Sequence, residues 1–96
     1  MKPNNNTSNT SSKIITDYLA KENQKIRQQI KQLEDEIPRI EKEYLTLKKT
    51  MTTPQQQIEL NKRTKHKYVT AYNKIKHFKK SIEINKNKID QQQQTL

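Results

Sequence analysis

Apolar residues recur along the first half of the chain in a strict order. From Ile26 the steps to Ile30, Leu33, Ile37, Ile40, Tyr44, Leu47 and Met51 run 4, 3, 4, 3, 4, 3, 4. Written as a heptad, the a positions are Ile30, Ile37, Tyr44 and Met51, and the d positions are Leu19, Ile26, Leu33, Ile40 and Leu47. A 3.5-residue repeat kept this strictly holds one stripe against a partner helix and imposes a left-handed supercoil. The pattern predicts a coiled-coil helix over residues 13–50. Asn23 takes the a position between Leu19 and Ile26. There it either fixes register at some cost in stability or marks the weak end of the seam. With Ile37 central in the stripe, Ile37→Asp is expected to abolish association and most helicity.

Two prolines punctuate the pattern. Pro38 removes an amide donor inside the predicted helix and crowds the carbonyl of Glu34, a cost of about 3 kcal/mol or a kink. The alternative is a fresh helix capped by Asp35. Because the heptad runs past Leu33, Ile37 and Ile40 without a slip, a kinked but continuous helix is expected. At TMTTPQQQ the signal is a stop and a restart. Thr53, Pro54 and Gln56 have the spacing of an N-cap, a first-turn proline and a capping-box partner. Residues 51–53 are therefore read as a turn and 54–92 as a second helix.

The second stripe is less pure. Tyr68, Ala71, Ile75, Phe78, Ile82, Asn85 and Ile89 follow each other in alternating steps of 3 and 4. Upstream, Ile58 and Leu60 are its strong apolar residues, with Thr64 between Leu60 and Tyr68. Residues 1–12 and 93–96 are polar and low in complexity, and both are expected to be disordered tails. The fold class is then all-α, two long helices forming an antiparallel hairpin or coiled coil. A short connection favours antiparallel neighbours. Folding the chain about residue 52 sets Leu47, Tyr44, Ile40, Leu33 and Ile30 close to positions 57, 60, 64, 71 and 74. It also sets Glu34, Asp35, Glu36, Glu41 and Glu43 opposite Lys62, Arg63, Lys65 and Lys67. A parallel dimer of the first helix pairs charges less well, since Glu36 would meet Glu41.

Composition agrees with this economy of apolar groups. The 96 residues are 28% hydrophobic and 31% charged, with no Gly, Cys or Trp. A short chain of this kind lacks the apolar content for a globular core, but a seam needs only two positions in seven. Without Cys there is no disulfide scaffold, thiolate metal site or cysteine nucleophile. Without Gly there is no glycine-rich phosphate loop. His66 and His77 are too far apart along a helix to share a metal ion. Glu34, Asp35 and Glu36 diverge by about 100° each around a helix. The chain is expected to be no enzyme and to need no cofactor.

No apolar run reaches the ~20 residues of a membrane span. The opening residues have no apolar core of a secretory signal. They are acid-free and rich in hydroxyls, as some transit peptides are. They also lack arginine and an amphipathic period, which argues against a mitochondrial address. An intracellular location, cytoplasmic or nuclear, is expected.

The net charge is +10 and unevenly placed: residues 1–53 carry a net +3 and residues 54–96 a net +7. No acid occurs between Leu60 and Ile82. Lys74, Lys76, Lys79 and Lys80, with Lys25, Arg27 and Lys31 folded back towards them, form a candidate anion-binding patch. The aromatics Tyr68 and Phe78 are spent on the seam, so Tyr72 alone is left to stack on a base. The leading expectation is a structural or adaptor subunit that joins a larger protein complex through its seam. Ile14, Ile15, Tyr18, Val69 and Tyr72 lie beside the seams as spare contact surface. The alternative is a basic accessory protein that grips nucleic acid or another acidic surface with its second helix.

Overall fold

The computed structural model describes residues 2–94, with side chains described from 11 to 93. Two helices, α1 (Lys2–Thr50) and α2 (Pro54–Gln94), pack against each other as an antiparallel hairpin, and the described residues contain no strand. No helix among them is long and apolar enough to cross a membrane.

Helix α1 contains the whole of the helix expected over residues 13–50. Pro3 stands in the first turn, where its missing amide leaves nothing unsatisfied. Helix α2 runs two residues past its expected end, to Gln94. The expectations for Met1, Thr95 and Leu96 lie outside the described residues.

Pro38 sits inside α1 without breaking it. It is exposed, on the face turned away from the seam, so water can take the Glu34 carbonyl bond that proline forfeits. The connection between the helices is tight. Gln56 N–H donates to Thr53 Oγ1 (3.2 Å), and Thr53 N–H donates to Gln56 Oε1 (3.4 Å). These reciprocal bonds form a capping box, with Pro54 at the first helical position. On the other side Met51 N–H still reaches the Leu47 carbonyl at 3.0 Å, closing the last turn of α1.

Packing divides the hairpin into two units. One is built from the stretch up to Gln28 with the stretch from Phe78 onward, the other from Gln29–His77. In the first, Leu19 and Ile26 are buried, while Phe78, Ile82 and Ile89 are half-buried. In the second, Ile30, Ile40, Leu60, Ala71 and Ile75 are buried. Leu33, Ile37, Tyr44, Leu47, Met51 and Tyr68 are half-buried there.

In the second unit Tyr44 meets Asn61, one residue from the expected position 60, and Glu43 pairs with Lys67, within the acidic and basic groups expected to face each other. Glu41 lies close enough to Tyr68 to act on its hydroxyl. Ile58, expected near Leu47, is 49% exposed, whereas Leu60, expected near Tyr44, is buried at 4%. From Leu60 the covered positions of α2 step to Thr64, Tyr68 and Ala71 by 4, 4 and 3. Eleven residues over three turns locally straighten a stripe that elsewhere follows the heptad.

Candidate interaction surfaces

The most constrained polar contact is in the first unit. Asn23 and Asn85 are the buried polar residues of the described chain, 2% and 8% exposed. Asn85 Nδ2 donates to Asn23 Oδ1 at 2.9 Å, and Asn23 Nδ2 donates across to the Ile82 carbonyl at 3.4 Å. The second bond is long, but it ties α1 to the backbone of α2. No buried side-chain nitrogen or oxygen among the described residues lacks a partner. Asn23 is an a position and Asn85 the d position of its own stripe, so the two asparagines form one polar layer between apolar ones.

Beyond that layer the seam turns polar. Ser12 and Thr16 continue the alternating steps towards the N-terminus and are half-buried. Thr16 Oγ1 donates to the Ser12 carbonyl at 2.8 Å, which satisfies a hydroxyl that faces α2 rather than open water.

In the second unit the lateral contacts are solvent-exposed. Tyr44 lays its ring beside the seam and donates from its hydroxyl to Asn61 Oδ1 at 2.9 Å. Lys48 Nζ stands 5.7 Å from the centre of the Tyr44 ring. The Lys67–Glu43 pair spans 3.4 Å with both side chains about half exposed, a geometry that contributes about 0.2–1 kcal/mol. Tyr68 and Tyr72 stack with ring centres 6.4 Å apart. Burial pushes the Tyr68 hydroxyl above its ordinary value, and the negative charge of Glu41 and the nearby Tyr72 hydroxyl act in the same direction.

The residues of the candidate anion patch are all exposed. Lys25, Arg27, Lys79 and Lys80 belong to the first unit, and Lys31, Lys74 and Lys76 to the second. Helix geometry separates them within each unit. Residues two apart, such as Lys25 and Arg27 or Lys74 and Lys76, point to nearly opposite sides, and Lys79 and Lys80 diverge by about 100°. Among the described residues no three or more of His, Cys, Asp and Glu are placed to hold one metal ion.

A groove opens along one side of the first unit. Ile14, Ile15, Tyr18 and Leu19 form its α1 wall, and Lys88, Gln91 and Gln92 its α2 wall. Outside the seams, large apolar side chains stay in water: Ile14 62%, Tyr18 65%, Leu45 52% and Tyr72 55% exposed. The chain matches no family model, no curated protein and no solved structure. Its surfaces must be read from their own chemistry.

Two of these features escaped the sequence reading. Asn23 and Asn85 are both seam positions, and folding about the turn sets Asn23 opposite residue 81, next to the Ile82 carbonyl that it reaches but short of Asn85. Aligning the polar seam positions with each other gives the observed level. The groove was foreshadowed only as spare apolar residues on α1, because its other wall comes from α2.

Proposed function

We propose that the chain is a non-enzymatic structural or adaptor subunit that joins a larger protein assembly. What carries this reading is the contrast between its covered and uncovered apolar groups. Among the described residues, seven apolar side chains are buried, while eight large ones are 42–65% exposed. Two helices that spend their seam on each other leave their flanks unpartnered, and bundles cover such flanks with further helices. Assembly through the flanks, with the seam holding the hairpin itself, accounts for both sets.

Sedimentation equilibrium with circular dichroism across concentration tests this. The expected result is helicity that rises with association, from a marginal monomer of 11.5 kDa. A monomer that is fully helical at every concentration and melts cooperatively needs no partner, and would refute the proposal.

A second reading, binding to nucleic acid, draws on one stripe of α2. Lys62, Lys65, Val69, Tyr72 and Lys76 recur in steps of 3 and 4, and all are exposed. Such a stripe could track phosphates while Tyr72 stacks on a base. Replacing Lys62, Lys65 and Lys76 by Gln should then weaken binding to single-stranded oligonucleotides and flatten its salt dependence. Unchanged affinity removes this reading.

A further inference from the structure

The groove of the first unit has a specific chemistry. On α1, Ile14 and Tyr18 are one turn apart on the same face, with Ile15 beside them. On α2, Lys80, Ile84 and Lys88 follow at steps of 4, so Ile84, 45% exposed, continues the face on which Lys88 lines the groove. Four large apolar side chains are thus offered along one flank of two antiparallel helices. The acids of this part of α2, Glu83 and Asp90, fall on the opposite side by helix geometry.

The rim is basic. Lys21 and Lys25 follow Tyr18 by three and seven residues on the same face of α1, and Lys80 and Lys88 flank Ile84 on α2. Glu22, four residues after Tyr18, is the acid among them. An apolar floor between two helices, bordered by four lysines and one glutamate, sets the terms for an occupant. It must bring an apolar stripe, a rod-like shape and negative flanks.

We infer that this groove receives an amphipathic helix with acidic flanks from a different protein, completing a three-helix bundle with the first unit. The inference rests on the assembly reading and names its partner class. A helix lying in a groove between two others anchors through residues spaced 3 and 4 apart. The span from Ile14 to Lys25 is about 16 Å of helix, room for roughly three turns of such a partner. Opposite charge at the rim speeds encounter and disfavours partners of the same sign. A second copy of this chain brings a net +10 and the same lysine rim to the contact, so like charge opposes self-pairing here.

The test uses the full chain and a labelled peptide of three heptads, with Leu at its core positions and Glu at its flanks, followed by fluorescence anisotropy. Binding is expected to saturate and to weaken with salt. It is expected to fall by at least about tenfold with Ile14→Glu/Tyr18→Glu, or with a peptide carrying Lys in place of Glu. Both substituted residues are exposed, so circular dichroism of the variant should match the unaltered chain. Equal binding by the double variant, or by the lysine peptide, overturns the inference. So does a dimer of the unaltered chain that the double variant cannot form, since a second copy would then fill the groove. Retention on phosphatidylserine vesicles that depends on Ile14 and Tyr18 overturns it in favour of a lipid surface.

A Val69→Glu/Tyr72→Glu variant separates this inference from the reading beneath it. If the chain runs in a large particle in native extract, and only this second variant leaves the particle, assembly stands and the groove assignment falls. If the unaltered chain runs alone, the assembly reading falls as well.

Discussion

Replacing Ile40 with Asp is expected to abolish cooperative unfolding of the Gln29–His77 unit and to remove most of its helical signal. Ile40 is 6% exposed at the d position that faces α2. Truncating a buried isoleucine costs about 2–5 kcal/mol through lost transfer and cavity terms. An aspartate in its place adds the cost of a carboxylate held away from water without a partner. Glu36 and Glu43, which line the same side of α1, oppose a further negative charge, and Arg39 answers only part of it. A domain is typically stable by only about 5–15 kcal/mol, and this hairpin has a small core, so the loss is close to its whole margin.

Two comparisons make the result specific. Leu45→Asp removes an aliphatic residue that is 52% exposed, and its melting curve is expected to lie near that of the unaltered chain. Ile37→Asp, the change that the seam pattern alone would nominate, should fall between the two because Ile37 is only half-buried. Acid supplies a further check. Burial raises the carboxyl pKa of the folded Ile40→Asp variant above the unfolded value of about 3.9, so the penalty is present at neutral pH and lifts as the group takes up its proton. Helicity recovered on acidification, without recovery of the unaltered chain's full stability, would separate the charge from the cavity. A melting midpoint in Ile40→Asp equal to that in Leu45→Asp would refute the seam assignment.

The hairpin was legible because three independent signals agree: the unbroken heptad from Ile26 to Met51, the restart at Thr53–Pro54–Gln56, and the alternating stripe from Tyr68. Each is local, so each could be read without knowing what faces it. Pairing between the helices was harder. A fold about the midpoint treats the connection as symmetric, whereas helix alignment depends on which side chains fit opposite each other. Leu60 shows this. In sequence it competes with Ile58 for the seam, two residues apart and so on opposite sides of the helix, and only the fold shows that Leu60 is buried and Ile58 exposed. The basic stretch misleads in the opposite way. Charges crowded along the sequence fan out around the helix, so Lys74 and Lys76 do not share a surface despite their proximity. Distances along a helix report proximity well at steps of 3 and 4 and poorly at 1 and 2.

The Asn23–Asn85 layer yields the prediction that best separates stability from specificity. Asn23→Ala should destabilise the chain by about 1–3 kcal/mol, because it leaves the Asn85 amide buried without its partner. The double change Asn23→Leu/Asn85→Leu should behave oppositely and raise the melting midpoint, since a matched apolar layer needs no desolvated amides. Sliding one helix by a heptad sets Asn23 against Phe78, and the opposite slide strands Asn85 among aliphatic side chains of α1. Each slip therefore carries a penalty that two leucines would not feel. The double variant is accordingly expected to be more stable and less singular. Spin labels at the exposed positions Gln24 and Lys86 would show it, as one narrow distance distribution in the unaltered chain and a broadened or split one in the double variant. A double-mutant cycle supplies the energetic half, with a coupling of about 0.5–3 kcal/mol between the two asparagines. Additive single effects together with an unchanged distance distribution would show that the layer is merely tolerated. Coupling with a broadened distribution would make this polar pair the element that selects one alignment among those the apolar seam allows.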